Sequence, residues 1–325
     1  MPKVSVIVPV YNVAPYIEQC VRSLFEQTLD DIEYIFVNDC TPDNSMEILY
    51  KVLEEYPRRK GQTTIIHHEC NKGSVAARQT AVAVAVGDFI IACDSDDWIE
   101  MDMYEKMYAT AELEYADMVW CDYYRDSVKQ QRIVSLEYSC DPIIYVKGMM
   151  TQRIPGFLCN KLFRKELFQR YINIGVMGAD MWEDLCITIP MTHHSRTIVH
   201  VEEPLYHYRY NINSIAQKTS ILKRTQDMIC NAKIITDVLR KENLVELYTP
   251  EIHILQLAAK YNMLYPVKPS LKDWRTTFSE ANRYLKLASN FSFHHRMLQY
   301  SALYNFTWAF IIRNYLRSLL DYFVK

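Results

Sequence analysis

The sequence predicts an α/β fold in which helices flank a parallel, doubly wound sheet, followed by a helical C-terminal extension. Up to Asp97, short apolar runs alternate with amphipathic segments, which is the pattern of parallel strands joined by helices. Half of the 325 residues are hydrophobic, which is enough for a substantial core. From Ser220 onward the apolar residues follow helical spacing.

Each element of the first half has its own signal. The first strand is an apolar, β-branched run, and the first helix places Ile17, Val21 and Leu24 on one face. Asp43 or Asn44 is the expected cap of the second helix. We therefore predict strands at residues 3–10, 33–37, 63–67 and 88–93, and helices at residues 14–28, 43–56 and 74–86.

The signals are less regular after Trp98. We predict a helix at residues 103–115, a strand at 117–123, a mostly helical stretch at 145–170, a helix at 183–192 that ends or kinks near Pro190, and two short strands around Pro204. From Ile215 onward the chain has 16 Lys and Arg against 8 Asp and Glu, whereas its total net charge is -3. We therefore expect a first domain at residues 1–214 and a helical extension at residues 215–325.

Composition and missing motifs exclude several classes of function. The nine cysteines are scattered without zinc-like spacing, and the chain starts with a strand rather than a signal peptide, so we expect a cytoplasmic protein. There is no phosphate-loop, nucleophile-elbow or dinucleotide-binding motif, and only seven glycines. We expect no nucleic-acid partner.

The sharpest chemical feature is the run Asp94-Ser95-Asp96-Asp97, which directly follows an apolar strand. Carboxylates two residues apart at a strand end can converge on one hard cation, and Mg²⁺ and Mn²⁺ prefer oxygen ligands. Ligands of such sheets bind beyond the carboxyl ends of the strands, which favours a metal site here. The alternative is an acidic turn that caps the helix beginning near Met101.

Other polar residues follow the neighbouring strands. The Asp39 carboxylate could accept a hydrogen bond from a uracil N3–H, or it could cap the next helix. Tyr11 could pack beside a base or be a core tyrosine. Gly73 allows a ligand to approach the backbone, and Arg78, one turn into the following helix, could reach a phosphate or pair with Asp94 or Asp96.

Glu183 and Asp184 offer a candidate general base. The alternative is an acidic pair that the dipole of the helix favours at its N-terminus. Residue type alone does not decide between these two interpretations.

Taken in order, four segments resemble family 2 of the glycosyltransferases: V-S-V-I-V-P-V-Y-N, V-N-D-C-T-P-D, N-K-G-S-V-A-A-R-Q and D-S-D-D-W. The resemblance covers residues 3–98 closely and extends more loosely to about residue 214. It implies an A-type glycosyltransferase fold, in which a Rossmann-like sheet joins a donor site and an acceptor site in one domain.

The resemblance also implies roles for individual residues. Asp39 would bind the base, Asp94 the ribose or the metal, and Asp96 the divalent ion, Mn²⁺ or Mg²⁺. Asp184 would be the catalytic base, and Lys161 and Arg209 would contact donor phosphates. The residues expected at the nucleotide sugar are Pro9, Tyr11, Asn12, Asp39, Asn71, Gly73, Arg78, Asp94 and Ser95.

The function implied is an inverting transfer of one sugar from a nucleotide-diphosphate donor, with UDP preferred, to a carbohydrate or lipid-linked saccharide acceptor in surface-polysaccharide or glycolipid assembly. The alternative is an inactive nucleotide-sugar-binding or scaffold protein of the same fold. The aromatic and apolar tail, residues 300–325, suits either an interfacial helix on anionic lipid or a terminal helix packed on the protein or on a second copy in a homodimer.

Overall fold

The protein is described by a computed structural model over residues 1–126, 130–135, 138–211, 214–313 and 315. It forms two compact units. The α/β unit comprises Met1–Val146 and Gly156–Lys218, and the helical unit comprises Lys147–Pro155 and Thr219–Lys325. The helical C-terminal region expected from the sequence is therefore present.

Among the described residues, nine strands form one sheet in the α/β unit. The strands are β1 (Val4–Val10), β2 (Ile32–Asn38), β3 (Thr63–His67), β4 (Phe89–Ala92), β5 (Trp98–Ile99), β6 (Met118–Asp126), β7 (Gln131–Val134), β8 (Lys161–Arg164) and β9 (Ile198–Arg209). Their order is β3-β2-β1-β4-β8-β6-β9-β5, and β7 pairs with β6. The first four strands of this order are mutually parallel, whereas β8 is antiparallel to both β4 and β6.

Helices cover the sheet and form most of the helical unit. Those of the first 218 residues are α1 (Ile17–Phe25), α2 (Ser45–Glu55), α3 (Pro57–Lys60), α4 (Ser74–Val84), α5 (Met103–Leu113), α6 (Pro142–Met150), α7 (Lys165–Tyr171), α8 (Glu183–His193) and α9 (Ile215–Lys218). The later ones are α10 (Ile221–Lys241), α11 (Val245–Tyr261), α12 (Leu271–Thr276) and α13 (Phe293–Leu303). Short 3₁₀ segments lie at Ile172–Ile174, Asn262–Leu264 and Ser279–Leu287.

The central strands are buried because helices pack on the sheet. Val6 and Val8 of β1 share one apolar cluster with Ile17 and Val21 of α1, so the predicted helix face is the buried one. Helix α4 contacts β1 and β2, and its small residues include Ala77, which has no exposed surface. The predicted α/β class is confirmed, and the seven elements predicted up to residue 93 are present with shifted ends.

Two predictions after Trp98 were wrong, and a third, for the helix at residues 183–192, was right in its bounds. The stretch 145–170 is not mostly helical, because strand β8 lies within it and is held by pairing with β4 and β6. Four residues are too few to show a strand period in the sequence. Around Pro204 there is one strand, β9, whose pairing with β6 shifts register there, so the irregularity accommodates the proline. Helix α8 does not end at Pro190 but continues to His193.

Candidate active site

The parallel register brings three polar segments to one edge of the sheet. Val10 at the end of β1 lies opposite Asn38 at the end of β2, and Ile7 of β1 lies opposite Ala92 of β4. The residues that follow these strands therefore share the carboxyl edge, where ligands of such sheets bind. These are Tyr11 and Asn12 after β1, Asp39 after β2, and residues 94–97 after β4.

Arg78 of α4 connects acidic residues from two distant parts of the sequence. Its guanidinium Nη2 donates to Asp94 Oδ1 at 3.0 Å, and its Nη1 donates to Glu183 Oε1 at 2.5 Å and to Asp184 Oδ1 at 3.2 Å. The arginine is only 6% exposed, so its charge is buried among these carboxylates. One cation thus joins the loop after β4 to the first turn of α8.

Glu183 and Asp184 differ in how much of their carboxylates is engaged. Glu183 accepts hydrogen bonds from Ser74 Oγ at 2.8 and 3.0 Å and from Arg78, and its side chain is 10% exposed. The Asp184 carboxylate accepts from Arg78 at 3.2 Å, and its side chain is 24% exposed. Burial raises the pKa of Glu183 to about 7 and raises the pKa of Asp184, against the effect of Arg78. Asp184 is therefore the more accessible carboxylate.

The carboxylates of the loop after β4 differ in their burial and in their hydrogen-bond partners. Asp97 is buried and accepts from the Tyr206 hydroxyl at 2.5 Å and from the Arg209 N–H at 2.8 Å, so it fastens the loop to β9. Asp96 accepts from Asn211 Nδ2 at 2.8 Å, and burial raises its pKa. The Asp94 side chain is 33% exposed, whereas Ser95 is buried.

The oxygen donors of Asp94 and Asp96 suit a hard divalent cation. Arg78 contacts one Asp94 oxygen and Asn211 one Asp96 oxygen. Across the described ranges, no group of three or more His, Cys, Asp or Glu side chains could hold a metal ion. The protein side chains therefore fit Mg²⁺ or Mn²⁺ only as part of a shell that water and phosphate oxygens complete, as is common for these ions.

Asp39 has a structural role that we did not expect from the sequence. Its buried carboxylate accepts from the backbone N–H groups of Lys72 at 2.9 Å and Gly73 at 2.7 Å, and it contacts His68 Nδ1 at 2.7 Å. Gly73 has a φ of +87°, a conformation that favours glycine. Asp39 therefore holds the loop that leads into α4.

The remaining residues expected at the donor lie at the same edge with different exposure. The Tyr11 side chain is 44% exposed, and Asn12 and Asn71 are also exposed, whereas Pro9 is half-buried. Asn12 has a left-handed backbone and its N–H donates to Thr41 Oγ1 at 2.8 Å. These side chains are at the surface of the edge rather than in the core.

Sequence reasoning placed Lys161 and Arg209 at donor phosphates, and the structure gives both other partners. Lys161 has no exposed surface, and its Nζ donates to Phe157 O at 2.8 Å and to Asn160 Oδ1 at 2.9 Å. Arg209 Nε donates to Asp96 O at 2.8 Å, and its guanidinium lies 4.3 Å from the Trp98 ring centre. Burial lowers the pKa of Lys161 to about 8.

Several residues of the site were missed by sequence reasoning. Ser74, Tyr206 and Asn211 each hold a carboxylate of the site. They gave no signal because a single hydroxyl or amide carries no spacing pattern. The nearest hint was the short distance in sequence between Ser74 and the predicted Gly73 and Arg78.

Comparison with known sequences gives independent information on the family of this chain. A model of glycosyl transferase family 2 matches residues 5–172. EpsH of Bacillus subtilis (strain 168), whose name describes a glycosyltransferase, is 32% identical over 285 residues, which are 86% of this chain and 79% of EpsH.

Solved structures share the fold at low sequence identity. Residues 1–349 of TarS from S. aureus, in complex with UDP-GlcNAc, align with a TM-score of 0.61 and 17% identity over 93% of this chain and 92% of that one. The mannosyltransferase PcManGT from Pyrobaculum calidifontis, in complex with GDP-Man and Mn²⁺, aligns with a TM-score of 0.56 and 18% identity over 98% and 88% of the two chains. With the family model and EpsH, this common fold leads to one conclusion: the chain belongs to glycosyl transferase family 2.

Proposed function

We propose that this glycosyltransferase moves one sugar from a nucleotide-diphosphate donor, with UDP as the nucleotide, to an acceptor hydroxyl with inversion at the anomeric carbon. The observation that carries the proposal is the shared Arg78 guanidinium, which contacts Asp94 on the donor side and Asp184 on the base side. The UDP-GlcNAc and GDP-Man bound in TarS and PcManGT support a nucleotide-sugar donor. The proposed acceptor is a carbohydrate or lipid-linked saccharide of surface-polysaccharide or glycolipid assembly.

Asp184 is the proposed catalytic base. Its carboxylate would take the proton of the acceptor hydroxyl as the oxygen attacks the anomeric carbon. Glu183 is less suited to this role because Ser74 and Arg78 already occupy its buried carboxylate. With Asp184 as a general base and the other carboxylates assigned to the metal or to structural contacts, the transfer would be a direct displacement, which inverts the anomeric carbon.

The donor diphosphate would lie beside Asp94 and Asp96. A Mn²⁺ or Mg²⁺ ion held by these carboxylates would neutralise charge on the leaving diphosphate. The exposed Tyr11, Asn12 and Asn71 would contact the nucleotide. Pro9, Asp39, Gly73 and Ser95 complete the proposed donor set, with Asp39 directed to the base and also holding the Gly73 backbone.

The test compares Asp184→Asn with the wild type and with Glu47→Gln, which changes an exposed carboxylate in the first turn of α2. Asp184→Asn should lower transfer by at least about 1000-fold, since both the base and the oriented carboxylate are lost. Its thermal shift with UDP-, GDP- and dTDP-sugars, with and without Mn²⁺, should still match that of the wild type. Glu47→Gln should transfer normally.

Each result assigns one part of the proposal. Near-normal turnover of Asp184→Asn would remove Asp184 as the base. Stabilisation by GDP- or dTDP-sugars instead of UDP-sugars would change the donor class, and equal stabilisation without Mn²⁺ would remove the metal. Binding of a UDP-sugar with no turnover by the wild type, with any saccharide acceptor tested, would favour the inactive binding protein.

A further inference from the structure

The last described helix has an apolar face that points away from the protein. The helix begins at Trp308, and Trp308, Ile311, Ile312 and Tyr315 are 54%, 67%, 50% and 64% exposed. Their spacing of three and four residues places them on one face. The opposite face is buried and carries Ala309, Phe310 and Arg313. The helix is therefore packed on the helical unit by one side only.

Aromatic residues before this helix extend the apolar surface. Tyr304 and Phe306 are 60% and 50% exposed, and their ring centres are 6.1 Å apart. We call Tyr304, Phe306, Trp308, Ile311, Ile312 and Tyr315 the aromatic face. Single exposed apolar side chains are common on protein surfaces, but a continuous group of this kind marks an interaction site.

The segment that contacts the last helix carries positively charged residues. The Arg313 guanidinium donates to Leu264 O and, at 2.8 Å, to Pro266 O, so the chain that leads to Val267 and the exposed Lys268 contacts the packed side of the last helix. The described residues from Val267 onward include seven Lys and Arg against two Asp and Glu. This part of the helical unit is therefore basic.

The short helix α12 adds to this basic border. Arg275 Nη1 donates to Ala302 O at 3.0 Å and to Asn305 Oδ1 at 3.2 Å, which places α12 against the turn that carries Tyr304. Lys272 of the same helix is exposed. Arg275 and Lys272 therefore place cations near the start of the aromatic face.

We propose that the aromatic face binds the surface of a lipid bilayer that contains anionic lipids. Tryptophan and tyrosine are favoured at the boundary between headgroups and acyl chains, and flanking lysines attract anionic headgroups. The binding is interfacial: none of the described helices is long and apolar enough to cross a bilayer. The sequence left an interfacial helix and a helix packed on protein as alternatives, and the structure shows one packed side and one exposed apolar side. Residues 314 and 316–325 of that tail lie outside the described residues.

A second copy of the chain is a poorer occupant of this face. In a symmetric dimer the same patch is used by both copies, so each copy would bring Lys268 and Lys272 to the edge of the interface. Like charges at such a boundary oppose association, whereas an anionic bilayer complements them. The inference does not depend on the proposed sugar transfer, because it rests on surface chemistry alone.

The test is flotation of the full chain with vesicles of phosphatidylcholine, with and without phosphatidylglycerol. The wild type should float with the anionic vesicles. Trp308→Ser/Ile312→Ser should lower its partition coefficient at least about tenfold, because two apolar side chains no longer enter the interface. The matched control is Ile221→Ser/Leu222→Ser, which removes two apolar side chains that are 51% and 70% exposed on α10 and should bind as the wild type does.

Substitution of the lysines gives a second, independent test. Lys268→Gln/Lys272→Gln should lower binding to anionic vesicles by about tenfold or more and remove part of its salt dependence. The proposal is overturned if the wild type does not float, or if Trp308→Ser/Ile312→Ser floats as well as the α10 control. It is also overturned if sedimentation shows a wild-type dimer that only Trp308→Ser/Ile312→Ser dissociates, since a second copy would then cover the face.

Discussion

Two lysines without exposed surface, one in each unit, have the same kinds of hydrogen-bond acceptor but differ in the charged groups nearby. Lys161 in the α/β unit donates from Nζ to Phe157 O and Asn160 Oδ1. Lys260 in the helical unit donates to Thr277 O at 2.8 Å, Trp274 O at 3.1 Å and Asn282 Oδ1 at 2.6 Å. In both, backbone carbonyls and an asparagine take the place of water around the ammonium group.

The difference lies in the charge nearby. Burial lowers the pKa of Lys260 to about 7, and no carboxylate opposes this shift. Burial also lowers the pKa of Lys161, to about 8, but the Asp184 charge acts in the opposite direction. The Lys161 acceptor, Phe157 O, belongs to the residue before Leu158, whose backbone N–H lowers the pKa of Asp184. In the helical unit these acceptors help to fix the fold. In the α/β unit we propose that they also position the catalytic base.

Of the effects that separate the two lysines, the largest is the loss of kcat expected for Lys161→Met. The substitution removes the ammonium group that holds the Phe157–Leu158 backbone and a positive charge that lowers the pKa of Asp184. We expect kcat to fall about 100-fold or more, because small displacements of a catalytic group cost rates of that order. The acidic limb of the rate profile should move to higher pH, since a base with a raised pKa loses its proton later.

The matched control for this prediction is Lys260→Met, which makes the same chemical change at a site without a carboxylate. It should leave kcat within about twofold of the wild type. If both variants lose kcat equally, or if the Lys161→Met profile keeps its acidic limb, Lys161 has no positioning role and the two lysines are equivalent.

The parallel half of the fold could be predicted because each element carries its own period. Val6 and Val8 alternate along β1, and Ile17 and Val21 repeat along α1, so a short window of sequence contains the whole signal. Strand β8 was missed because its four residues depend on partners far away in sequence, Phe89–Ile90 in β4 and residues 118–120 in β6. The sequence around β8 contains no information about these distant partners.

The candidate carboxylates could be chosen from the sequence, but the residues that contact them could not. The acidic residues 94–97 were singled out by their place after a strand and residues 183–184 as a candidate base, although helix capping and the helix dipole were open alternatives. That one arginine would contact both groups depends on the tertiary fold, which brings Arg78 of α4 to the first turn of α8, 105 and 106 positions away in sequence. Family resemblance assigned Lys161 to phosphate, whereas only burial shows that its Nζ faces the backbone.

The next effect in size is the stability of the helical unit in Lys260→Met. Three backbone carbonyls and Asn282 Oδ1 lose their donor, which should lower the free energy of unfolding by about 2 kcal/mol at pH 7. The folded pKa of about 7 lies below the ordinary 10.5, so the unfolded chain binds more protons between these values. The wild type should therefore gain stability as pH rises from 7 to 10, and Lys260→Met should lack this gain.

Urea unfolding followed by tryptophan fluorescence at pH 7 and pH 9 measures both quantities. Trp274 lies in the helical unit, and its ring centre is 4.1 Å from Lys260 Nζ, so it reports on the substituted region. A Lys260→Met variant as stable as the wild type at both pH values would show that the carbonyl groups do not need the ammonium group.

The smallest expected effect is the opposite pH slope in the α/β unit, tested by Glu183→Gln. The folded pKa of about 7 lies above the ordinary 4.5, so the folded chain holds the proton that the unfolded chain has lost. Stability from this group is complete below pH 4.5 and is lost as pH rises through 7, with a size of about 1 kcal/mol. Glu183→Gln keeps an acceptor for Ser74 and removes the titration, so it should flatten the decline in melting temperature between pH 5 and pH 8. An unchanged decline would mean that Arg78 keeps Glu183 ionised throughout, and the α/β unit would then owe its pH dependence to other groups.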